Sequence, residues 1–158
     1  VNHDLGFMHN LTKKGLLDLA ENELLQGIEY YEKWDSVYRD LALDDIDPFI
    51  RENFLIGIEQ FDAEAQQKFI DTRVDEIETA QWENDRRLSV AYTNLGIVYF
   101  NRDDFEKAAD LFKTALDLWS ENLNAENNLN SMLGKQMVKR NSIQKMFPKE
   151  RKEIESSK

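Results

Sequence analysis

One run of large and small residues at helical spacing constrains what this chain can fold into. Ala91, Tyr92, Leu95, Val98 and Tyr99 recur at steps of three and four, with Gly96 among them. After the polar stretch Asn101-Arg102-Asp103-Asp104, the period resumes with Ala108, Phe112, Ala115 and Leu118. Gly96 and Ala108 are small where two helices would cross, so their axes can come close. Tyr92, Leu95, Tyr99 and Phe112 then fill the space around that contact. Asp103 or Asp104 is placed to cap the second helix. The stretch predicts a tight helical hairpin.

Composition agrees with helices. Only 6 Gly and 2 Pro occur in 158 residues, too few for a turn-rich β protein. No apolar run is long enough to span a bilayer, and Leu55-Ile56-Gly57-Ile58 is cut short by Glu59. A soluble chain is expected, cytoplasmic or periplasmic, with the compartment left open. The absence of cysteine removes disulfides and thiolate metal sites. Without Met at position 1 or a signal-type start, the chain reads as an excised domain or a processed product.

Charge is uneven. Residues 1–133 carry 12 basic and 28 acidic side chains, whereas 134–158 carry 8 basic and 3 acidic. An acidic body repels a phosphate backbone and argues against nucleic acid as the main ligand. The basic end could touch an acidic partner or this protein's own body, or only keep the terminus solvated.

Taken in order, residues 1–10 read as a loose lead-in holding both histidines, His3 and His9. Near a terminus, with no Cys and no patterned carboxylates, they are surface residues more often than metal ligands. Asn10-Leu11-Thr12 is a formal glycosylation acceptor, relevant only in a secretory compartment. A weakly amphipathic helix follows from Leu11 to Ala20. A firmer one runs from Glu23 to Leu41, with Leu24, Gly27, Ile28, Tyr31, Trp34, Tyr38 and Leu41 at steps of three and four. Asp47 is expected to cap a helix opened by Pro48 and running to Gln60, with Ile50, Phe54, Ile58 and Phe61 inside. Asp44, Asp45 and Asp47 lack the alternating ligands, turn glycine and closing Glu of a calcium loop. A further helix from Asp62 to Trp82 offers Ala65, Phe69, Ile70, Val74 and Ile77. Glu83-Asn84-Asp85 reads as a break, with Asp85 as a cap.

Against the pattern W-x2-L-G-x2-Y followed by A-x3-F, Tyr92 stands for the Trp, and Leu95-Gly96, Tyr99, Ala108, Phe112 and Ala115 fall at the expected steps. Ser120 replaces the final Pro. Residues 89–122 thus resemble one complete tetratricopeptide repeat. One period later Ala125, Leu129, Met132 and Leu133 repeat the apolar face, while Asn130 and Glu126 replace Gly96 and Tyr92. This suits a polar-faced capping helix over 123–140. Upstream, Leu11, Gly15, Gly27, Tyr31 and Trp34 reproduce part of the spacing, so residues 8–41 read as a degenerate repeat and 42–88 as a non-standard helix pair. The resemblance implies an all-α fold, antiparallel hairpins stacked as a short right-handed superhelix. It is read as a single domain over 1–147, with a basic tail from 148 to 158 in which Pro148 starts a short helix or frayed end.

No catalytic constellation accompanies this. A nucleophilic triad needs a histidine away from the first ten residues, and Leu95-Gly96-Ile97 lacks the other glycines and the Lys of a phosphate loop. No enzyme, cofactor or metal is expected. The resemblance implies a protein or peptide partner held in a groove lined by the first helix of each hairpin. The residues so placed are Val90, Thr93, Asn94, Ile97 and Asn101, and one repeat later Asn124, Asn127, Asn128, Ser131 and Lys135. Asn94 and Asn128 are one period apart, and a ladder of carboxamides can hydrogen-bond an extended backbone whatever its sequence. Equally, the asparagines could simply solvate a capping helix. Thr93 and Ile97 stand where members that clamp a C-terminal carboxylate would need Lys and Asn, which argues against a chaperone adaptor. Self-assembly is the other reading, because Tyr30, Tyr31, Trp34 and Tyr38 crowd one segment.

Overall fold

The computed structural model describes residues 2–57 and 59–140, with side chains for 13–54, 56–57 and 59–140. The described elements are all helical: α1 (Asn2–Tyr38), α2 (Leu43–Phe54) with a 3₁₀ turn (Leu55–Gly57), α3 (Ala63–Phe100), α4 (Phe105–Leu118) and α5 (Leu123–Met132). The basic tail at 148–158 and Pro148 lie outside the described residues, as do the side chains of His3, His9, Leu11 and Ile58.

The described residues divide into two compact units where one domain was expected. One comprises residues 32–84; the other joins residues 2–31 to 85–140. Each has its own buried cluster, and α1 and α3 carry the chain from one to the other.

In the unit of residues 32–84, Ile46, Ile50, Ile70 and Ile77 are buried, with Trp34, Tyr38, Leu41, Phe69 and Val74 packed against them. This explains where α2 begins. It starts at Leu43, not Pro48, so Pro48 is inside the helix and Asp47 is not its cap. The extra turn places Ile46 one turn from Ile50 on the buried face. Burying that side chain contributes about 1.5–3 kcal/mol, which offsets most of the roughly 3 kcal/mol that a proline costs inside a helix through its missing N–H and its clash with the preceding turn. Asp47 instead accepts from Arg51 at 3.1 Å. The helix stops at Phe54, short of Gln60, and Phe54 and Phe61 are exposed, as is Ala65.

Three further boundaries differ from expectation. α1 has no loose lead-in and no break after Ala20, so residues 8–41 contain no hairpin turn and do not form a repeat of the expected kind. A Cβ built on Gly15 or Gly27 would meet nothing within 4 Å, so neither glycine marks a close helix approach. α3 runs unbroken through Glu83-Asn84-Asp85. Asn84 is buried and donates from Nδ2 to Asp35 Oδ1 at 2.8 Å; a polar side chain with a partner in the interior has no need of a turn. The start of α3 is as expected, Asp62 Oδ1 accepting from the Ala65 N–H at 2.8 Å.

α5 ends at Met132, well before residue 140. The Lys135 N–H donates to Asn130 O at 2.8 Å and the Gly134 N–H to Ser131 O at 3.2 Å, with Gly134 at φ 67°. This is a Schellman stop, which needs a left-handed residue at that place. α3 ends in the same way on Asp103 at φ 63°, with Asp104 N–H to Tyr99 O at 3.0 Å and Asp103 N–H to Phe100 O at 3.1 Å.

Candidate partner-binding face

The hairpin forms from the C-terminal part of α3 and α4, within the unit of residues 2–31 and 85–140. Gly96 carries the close approach: a Cβ there would lie 2.6 Å from Phe112 Cε1. Phe112, Ala108 and Ala115 are fully buried below it. Asp104, not Asp103, caps α4, its Oδ1 accepting from the Lys107 N–H at 3.2 Å.

An α-helix turns 100° per residue, so this part of α3 presents three stripes. The stripe of Leu88, Tyr92, Leu95 and Tyr99 joins the cluster that holds Leu24, Ile28 and Tyr31 of α1. The stripe of Ser89, Thr93 and Gly96 turns to α4 and the start of α5. Ser89 Oγ donates to Ala115 O at 2.5 Å, and Thr93 Oγ1 to Ser89 O at 2.8 Å. Asn122 then donates from Nδ2 to Ser89 Oγ at 2.7 Å and to Thr93 Oγ1 at 2.9 Å, while its Oδ1 accepts from the Ala125 N–H at 3.1 Å. One carboxamide therefore caps α5 and anchors it on α3.

The third stripe is bare. Val90 is 46% and Ile97 40% exposed, and Asn94 and Asn101 are exposed beside them. Phe100 also lies exposed next to Asn101, in ring contact with exposed Phe105 at 5.3 Å between centroids. The expected residues therefore fall together on one face, with one correction. Thr93 is only 3% exposed and belongs to the internal hydrogen-bond network, so no partner can reach it. The cause is angular: it is one residue round from Asn94, on the side that Asn122 covers.

On α5, Asn124 and Ser131 are exposed and Asn127 and Asn128 half-buried; beyond its end Lys135 is exposed. Asn127 is engaged by the chain itself. Its Nδ2 donates to Val138 O at 3.1 Å, and its Oδ1 accepts from the Val138 N–H at 2.7 Å. Asn101 donates from Nδ2 to Ile97 O at 2.8 Å, using one of its donors within α3.

A charged cluster fixes α1 against the other side of the hairpin. Tyr99 donates its hydroxyl to Glu21, Arg102 Nη1 donates to Glu21 Oε2 at 2.6 Å, and Arg102 Nη2 to Asp18 Oδ1 at 2.6 Å. Lys107 Nζ donates to the Tyr99 hydroxyl at 2.7 Å. The Tyr99 hydroxyl, and then Arg102, hold the Glu21 carboxyl below its ordinary value. The Tyr99 hydroxyl in turn raises Lys107, and Glu21 raises Arg102. These groups join elements; none faces the bare stripe.

Sequence reasoning missed Asn122 and the Glu21–Tyr99–Arg102 cluster. An Asn just before Leu123 is a readable cap signal, but its second role depends on Ser89 and Thr93 from another helix. Of the four clustered aromatics, Tyr31, Trp34 and Tyr38 pack against buried clusters, and Tyr30 is 68% exposed.

Among the described residues, no group of three or more His, Cys, Asp or Glu is arranged to hold a metal. No described helix is long and apolar enough to cross a membrane. No curated protein and no solved structure matches the chain. Residues 89–122, folded as this α3–α4 hairpin, match the family model for the tetratricopeptide repeat, a helical repeat that generally mediates protein–protein interaction and is typically a non-catalytic scaffold.

Proposed function

We propose that this chain is a protein-interaction module without chemistry of its own. Its partner, a peptide or a protein surface, lies along Val90, Asn94, Ile97 and Asn101 of α3 and along Asn124, Asn127, Asn128 and Ser131 of α5. One observation carries this reading. In a helix segment packed on two stripes, the third keeps Val90 and Ile97 in water with carboxamides between and beside them. Apolar contact supplies affinity there, and the amides supply backbone hydrogen bonds.

Replacement of both Asn94 and Asn128 by Ala tests it. Each lost hydrogen bond to a partner is worth about 0.5–1.5 kcal/mol, so the pair weakens capture roughly tenfold or more. Both lie away from the buried network, so the helical melt stays nearly unchanged. Partners are collected by the purified wild-type chain, identified, and their affinities remeasured on the variant. Equal affinity sinks the assignment of the face.

A further inference from the structure

The segment after α5 engages one residue of the proposed face, Asn127. Gly134 turns the chain out of the helix, and residues 135–140 carry no regular secondary structure. Val138 then meets Asn127 through both its N–H and its C=O. That pair of hydrogen bonds is what one strand offers another, and it takes nothing from the side chain of Val138. Two residues on, the Arg140 guanidinium donates to the carbonyl of Glu121 and, at 3.1 Å, to its Oε2. Asn127 comes before Glu121 as the segment advances, so it runs antiparallel to α5. Its charge suits the site: the segment carries Lys135, Lys139 and Arg140, opposite in sign to the acidic excess of residues 1–133.

We propose that residues 135–140 occupy the carboxamide site of α5 in cis, and that an extended peptide must displace them to bind there. The proposal rests on the reading of this face as a partner site and adds its regulation. It also states the chemistry of the competitor: an extended backbone at Asn127, with a cationic side chain two residues later at Glu121. Residues joined by so short a connection compete at an effective concentration in the millimolar range, so the segment screens out weak ligands and yields to stronger ones.

Two measurements on the full chain test this. The first is amide hydrogen exchange by NMR. The Val138 N–H, outside any helix, is protected in the wild type and loses that protection in Asn127→Ala. Exchange of Val138 at the rate of an unstructured amide in the wild type overturns the proposal. The second uses the full chain carrying Val138→Pro and Arg140→Glu, which removes the N–H donor and the cation without touching a helix. A synthetic peptide of residues 134–140 is titrated against it while the Asn127 side-chain amide resonances are followed. The expected result is binding at least tenfold tighter than to the wild type, abolished by adding Asn127→Ala. Binding no tighter than to the wild type, or none at all, overturns the proposal. The two readings fail separately. An unprotected Val138 with capture still sensitive to Asn94 and Asn128 removes the cis occupant and leaves the face. A protected Val138 with capture insensitive to those residues removes the face and leaves the cis contact.

Discussion

At the scale of single residues, the repeat rests on contacts that tolerate almost no change of volume. Gly96 is required by Phe112, not by any unusual backbone angle. The Cβ of an alanine would meet Cε1 at 2.6 Å and Cδ1 at 2.9 Å, closer than real contacts allow. The ring is fully buried, so it cannot swing aside cheaply. Gly96→Ala is therefore expected to destabilise the chain by about 1–3 kcal/mol, even though alanine is the better helix former. Chemical denaturation reads this directly. An unchanged or raised midpoint would falsify the close approach. Asn122 shows a different economy. One amide joins α5 to α3, and no buried polar side-chain atom among the described residues lacks a hydrogen bond.

At the scale of elements, what could be read from the chain and what could not divide along one physical line. The hairpin of residues 89–122 was legible because its spacing records a contact within one short segment, Gly96 against Phe112. The exposed stripe was legible too, since it is what remains when the packed stripes are assigned, and Thr93 strayed by only one residue. The long helices were not legible. The apolar spacing ends one helix at Ala20 and starts another at Glu23, and the polar run Glu83-Asn84-Asp85 reads as a break, because polar residues between apolar patterns usually mean turns. In the fold, Glu21 is bonded by Tyr99 and Arg102, and Asn84 by Asp35. Those partners lie far along the chain, and local pattern carries no trace of them. Gly15 and Gly27 misled in the opposite direction, since they copy the spacing of Gly96 but stand in a continuous helix with open space beside them. Each of Gly15→Ala and Gly27→Ala is thus expected to stabilise the chain by about 0.5–1 kcal/mol, opposite in sign to Gly96→Ala. Thermal melts of the three variants side by side give the comparison. Destabilisation at Gly15 or Gly27 would mean that a helix does press on α1 there.

At the scale of the whole molecule, the chain folds back on itself through charge as well as apolar packing. Glu21 meets Tyr99 across 78 residues and Arg102 across 81. The ordinary value for the Glu21 carboxyl is 4.5, and the Tyr99 hydroxyl and Arg102 lower it in the fold. A carboxyl whose pKa is lower folded than unfolded binds protons more readily when unfolded. Its stabilisation is then fully present above the unfolded value and lost as pH falls through the folded one. The body's excess of acidic groups works the other way, because acidification relieves repulsion across a chain with a net charge of −11. A pH titration of the wild type alone mixes the two. Glu21→Gln separates them, since it removes one carboxylate and leaves nearly all of the background charge. Glu21 is about a quarter exposed, so solvent screening limits its share to roughly 1 kcal/mol, or about 2–4 °C in Tm. The wild type should melt above Glu21→Gln by that amount at neutral pH. The gap should hold down to about pH 5 and close as pH falls below 4.5. A gap of constant size from pH 7 to pH 3 would mean that Glu21 acts through packing alone, and that α1 is not held to the repeat by an ionised carboxylate.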